Sequence, residues 1–68
     1  MTKKFRVYCG PCIVKDVAHR LRLQLDNAIV TKGTAHVYVT CNCDADDLLS
    51  ILGRGGGWSE SDILELPL

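Results

Sequence analysis

A chain of 68 residues, 47% apolar and 24% charged, is read as one domain spanning 1–68, near the lower limit at which a hydrophobic core suffices. No apolar run approaches the roughly 18 residues a membrane span needs, so no membrane partner is expected. The net charge is zero, yet residues 1–34 carry seven cations against two carboxylates and residues 35–68 carry Arg54 against six. Such a split serves two-sided recognition or internal pairing.

The alternating run Lys3-Lys4-Phe5-Arg6-Val7-Tyr8 predicts a strand from Lys3 to Cys9, with Phe5 and Val7 on one face. Behind Cys9-Gly10-Pro11-Cys12 come Val14, Val17, Ala18, Leu21 and Leu25, spaced as one helical stripe. A helix from Pro11 to Leu25 follows, with Pro11 in its first turn. Asp26-Asn27 stops it. Ala28–Thr31 and Thr34–Cys41 read as strands around Lys32-Gly33, where Gly33 is expected to supply the positive φ of a tight hairpin. In the longer strand Val37, Val39 and Cys41 share one face, extended by Cys43 if the strand runs on. His36, Tyr38 and Thr40 share the other.

Asp44 reads as an N-cap, with Asp46 and Asp47 opposing the dipole of a second helix that buries Ala45, Leu48, Leu49 and Leu52. Gly53-Arg54-Gly55-Gly56-Gly57 ends it and is expected to be mobile. After Trp58 and a Ser59-Glu60-Ser61 turn, Ile63–Leu66 predicts a last strand, held to an edge by Pro67. The order βαββαβ predicts an α+β, ferredoxin-like domain, with two helices on one face of a four-stranded antiparallel sheet.

This arrangement places Cys9 and Cys12 where a strand ends and a helix begins, close to free N–H groups and the positive end of the helix dipole, where a thiolate is stabilised. The basic N-terminus lacks the apolar segment of a secretory signal, so a cytoplasmic protein with reduced cysteines is expected. Two thiolates separated by two residues suit one soft ion, Cu(I), Hg(II) or Zn(II), and leave coordination open for a partner's thiols. Lys15 is a candidate to offset the negative charge.

With its order of elements and Cys-x-x-Cys after the first strand, the chain resembles the heavy-metal-associated domain of copper chaperones and mercury-binding proteins. The strand around Val37 and Val39, the Asp-rich start of helix two and Gly57-Trp58 before the last strand also match. The resemblance implies metal ligands at Cys9 and Cys12, Cu(I) or Zn(II) as cargo, and a protein that accepts the metal.

Cys-Gly-Pro-Cys also resembles the tetrapeptide of thioredoxin, which would make Cys9 the attacking thiolate and Cys12 the resolving thiol. In that family Trp stands where this chain has Tyr8. Four-thiolate zinc ligation by Cys9, Cys12, Cys41 and Cys43 is the next alternative. Antiparallel first and third strands would hold the two pairs at opposite ends of the sheet. Cys41 and Cys43 are otherwise core residues, additional thiols or disulfide partners, and Trp58 either caps the core or anchors a partner.

A different class of function needs no chemistry. In size and charge style the chain resembles phage-encoded inhibitors such as anti-CRISPR proteins. Asp44, Asp46, Asp47, Glu60, Asp62 and Glu65 would then imitate phosphates and occupy a basic groove on an effector complex. Nucleic-acid binding by Lys3, Lys4, Arg6, Arg20 and Arg22 is not expected, because the basic residues lack interleaved aromatics. No Ser/His/Asp or paired-carboxylate arrangement points to an enzyme. The reading is therefore a non-enzymatic soft-metal domain, with the inhibitor and the thiol redox protein as its alternatives.

Overall fold

Strand alternation and helical stripes decide which side chains leave water. The computed structural model describes residues 2–53 and 57–67 and contains β1 (Lys3–Tyr8), α1 (Val14–Gln24), β2 (Ile29–Lys32), β3 (His36–Cys41), α2 (Ala45–Leu52), a 3-10 turn (Glu60–Asp62) and β4 (Ile63–Leu66). The strands form one sheet in the order β2-β3-β1-β4, and every neighbouring pair is antiparallel. β1 and β3 are central, β2 and β4 are edges, and the class is α+β. The mobility expected of the glycine run concerns Arg54, Gly55 and Gly56, which lie outside the described residues.

Phe5, Val7, Val37 and Val39 are fully buried, joined by Val30 and Ile63 from the edge strands. Onto this face α1 packs Val14, Val17, Ala18 and Leu21, and α2 packs Leu48, Leu49 and Leu52. Each buried Val, Leu, Ile or Phe side chain contributes about 1.5–3 kcal/mol, which is how so short a chain holds a single core. Leu25 and Ala45, both expected in the stripes, sit half-buried at the margin. Among the described residues, no helix covers the opposite sheet face.

Two local expectations change. α1 starts at Val14, with Ile13 as its N-cap and no side-chain cap, instead of at Pro11. Gly10 has φ +80°, so the chain turns through the left-handed region before the helix begins, and Pro11 and Cys12 belong to that turn. Gly33 is absent from the positive-φ residues. Its lack of a side chain serves close approach instead: a Cβ there would lie 3.0 Å from the His36 carbonyl oxygen and 3.0 Å from the Tyr38 ring. At its other end α1 stops at Gln24, with extended Leu25 as C-cap donating its N–H to the Leu21 carbonyl, and Asn27 is left-handed, at φ 56°, in the expected Asp26-Asn27 turn that follows.

At the far end, Asp44 caps α2 as expected. Asp44 and Asp47 form a capping box in which the Asp44 N–H donates to Asp47 Oδ2 at 2.9 Å. Lys3 Nζ donates to Asp44 Oδ1 at 2.6 Å, so the opposite charges hold the Asp44 carboxyl below, and the Lys3 ammonium above, its ordinary range.

Candidate functional site

The Cys9–Cys12 turn begins where β1 stops pairing. The Cys9 and Gly10 N–H groups both donate to the Ala35 carbonyl, at 3.1 and 3.0 Å, which fixes the turn against the start of β3. The Cys9 thiol points at the same oxygen, with Sγ 3.8 Å away. Cys9 is half-buried and Cys12 exposed, and both are free thiols. Burial pushes the Cys9 thiol above its ordinary pKa. The expected stabilisation of a thiolate by the start of α1 is therefore corrected for Cys9. The helix begins beyond the turn, and the desolvation of Cys9 opposes ionisation.

Beside the turn lies an open cleft of about 260 Å³ lined by Tyr8, Cys9, Ile13, Gly57, Trp58 and Asp62. Trp58 is half-buried and packs against the core, so it contributes both to the core's edge and to the wall of this cleft. Lys15 is exposed in the first turn of α1. The role of the Ala35 carbonyl had no signal in the residue pattern, because it depends on where β3 starts relative to the end of β1.

Cys41 and Cys43 lie elsewhere and are bonded to each other, which corrects the expectation that the cysteines are all reduced. Cys41 is 5% exposed on the inward face of β3, and Cys43 packs at the core's edge. In the β1–β3 register Lys3 stands opposite Cys41 and Tyr8 opposite His36. The two cysteine pairs are thus separated by the length of β1, roughly 17 Å at ~3.4 Å per residue, beyond the reach of one ion. Among the described residues no three His, Cys, Asp or Glu side chains converge as a ligand set. Among the described residues the turn holds two free thiols, Cys9 and Cys12.

The six carboxylates named from the sequence are distributed over the start of α2, the 3-10 turn and β4. Asp44 and Asp47 are engaged as described. Asp62 accepts the Ser59 N–H at 3.1 Å in a second capping box. Glu65 is in register with Phe5 in β4. Much of the acidic character of this half is therefore used in local folding.

No helix among the described residues is long and apolar enough to cross a membrane. Comparisons with protein families, with curated proteins and with solved structures find no match for this chain.

Proposed function

We propose that this chain is a non-enzymatic, ferredoxin-like domain that takes one soft metal ion between Cys9 and Cys12 and passes it to a protein acceptor. The observation that carries the reading is the state of the four cysteines. Cys41 and Cys43 are spent on each other, whereas Cys9 and Cys12 remain free in one turn, one of them exposed. Two thiolates satisfy a thiophilic ion such as Cu(I) in part and leave room for an acceptor's sulfur. The raised pKa of Cys9 means that the ion must displace a firmly held proton, so affinity rises with pH.

Trp58 provides the readout, because it shares a cleft wall with Cys9. Titration of the protein with Cu(I) under mild reductant should quench its fluorescence to an endpoint of one ion per chain. In Cys9→Ser, Cys12→Ser the endpoint should vanish. Quenching unaltered in that variant would remove the turn from consideration.

An effector-blocking role for the acidic half is the second reading. The Lys3–Asp44 ion pair and the two capping boxes give three of the six carboxylates, Asp44, Asp47 and Asp62, structural work, which favours the metal reading over it.

A further inference from the structure

The face of the sheet that the helices leave open carries a different chemistry. Phe5 and Val7 point to the core, so Lys4, Arg6 and Tyr8 point away from it. In β3 the residues alternating with Val37 and Val39 do the same. The register sets Tyr8 opposite His36 and Arg6 opposite Tyr38. The Tyr8 and His36 rings meet edge to face with centroids 5.3 Å apart, and His36 and Tyr38 follow at 6.5 Å. Three rings thus run in a row across the central strands, with Tyr8 52% exposed. The absent side chain of Gly33 lets the Tyr38 ring lie close to the backbone.

Charge on this face has one sign. Lys4 and Arg6 lie beside the ring row, and neither forms an ion pair among the described residues. Glu65, the one acidic residue in the described strands, is in register with Phe5 and so belongs to the helix side. The basic residues do have interleaved aromatics, supplied by the neighbouring strand.

We infer that this face binds single-stranded nucleic acid, with bases stacked on Tyr8 and Tyr38 and phosphates held by Arg6 and Lys4. Rings exposed on a sheet stack bases of any sequence, and cations beside them track the backbone. A duplex keeps its base faces inside its own stack and cannot use the platform. The inference goes beyond the metal reading and does not depend on Cys9 or Cys12.

The test is fluorescence anisotropy with labelled uridine and thymidine oligonucleotides of about ten nucleotides, beside a duplex of equal length and heparin. The expected result is binding of either single strand, weakened about ten-fold by Tyr38→Ala and by Tyr8→Ala, with the duplex weaker. Tighter binding of the uridine strand would add a 2′-hydroxyl contact, and equal binding would leave base and phosphate as the determinants. Arg6→Gln should reduce the slope of log affinity against log salt by about 0.7. Circular dichroism of each variant checks that these exposed or half-exposed substitutions leave the fold intact. No binding at about 10⁻⁴ M protein would overturn the inference. So would equal binding of duplex and heparin that ignores both tyrosines. Sedimentation that shows a dimer broken by Tyr38→Ala would assign the face to a second copy instead.

Discussion

The two ends of the sheet are built differently. Where β1 begins and β3 ends, the Cys41–Cys43 bond, the Lys3–Asp44 ion pair, the α2 capping box and a Thr2–Asn42 side-chain hydrogen bond at 2.9 Å tie the chain down. Where β1 ends and β3 begins, α1 starts without a side-chain cap and Gly10 turns through positive φ. Two cysteines there remain free. The disulfide and the side-chain ties thus lie at one end, whereas the other holds its turn by the Cys9 and Gly10 N–H groups on the Ala35 carbonyl and keeps two thiols free. The contrast argues for Cys9 and Cys12 as the functional pair more strongly than their spacing does.

Substitutions that separate the ends test that contrast, and the largest effect belongs to the core beneath the tied end. Leu48 is fully buried at the start of α2, and Leu48→Ala should cost about 3 kcal/mol in chemical denaturation. Val14, 7% exposed under the free end, should cost only about 1.5 kcal/mol as Val14→Ala. Equal losses would mean that the free end is packed at least as tightly, since Val14→Ala removes fewer carbons. Next comes the disulfide. In a Cys9→Ser, Cys12→Ser background, reductant should lower stability by about 1.5 kcal/mol, the chain-entropy value for so short a loop. No change on reduction would remove the bond from the tied end.

At the free end Gly10→Ala should cost about 1 kcal/mol, and Gly10→Asn less, since Asn tolerates the left-handed region. A Cβ at Gly10 meets no atom within 4 Å, so any loss reports backbone strain alone. The smallest effect is kinetic. Iodoacetamide at neutral pH should label exposed Cys12 before Cys9, and the Cys9 rate should keep rising with pH beyond the ordinary thiol range. The sign for stability follows from the same shift. The raised pKa of Cys9 contributes stability fully below the unfolded thiol's pKa, and loses it as pH rises through the folded value. Labelling of Cys9 ahead of Cys12 would contradict the burial seen at this turn.

Periodicity made the core legible. The Phe5–Val7 alternation, the Val14–Leu21 stripe, the Asp44 cap and the Ile63–Leu66 strand stand in the structure as the residue pattern implies. The start of α1 was harder to read, because Pro11 is as compatible with a turn as with a helix's first turn and only the backbone of Gly10 decides between them. Gly33 was misread for a related reason: tight turns call for glycine either for its φ or for its missing side chain. The Cys41–Cys43 pairing depends on side-chain directions at the end of β3 that alternation alone does not determine. The ring row was hidden because each strand contributes only part of it. Lys4, Arg6 and Tyr8 look like a basic edge with one aromatic until the register sets them against His36 and Tyr38.

The most direct test of the central claim is native mass spectrometry of protein offered Cu(I) or Zn(II), wild type beside Cys9→Ser, Cys12→Ser and Cys41→Ser, Cys43→Ser. The account predicts one metal ion on wild type, none on the first variant, and one on the second. A wild type that takes up neither ion, or an adduct that requires Cys41 and Cys43, would contradict it.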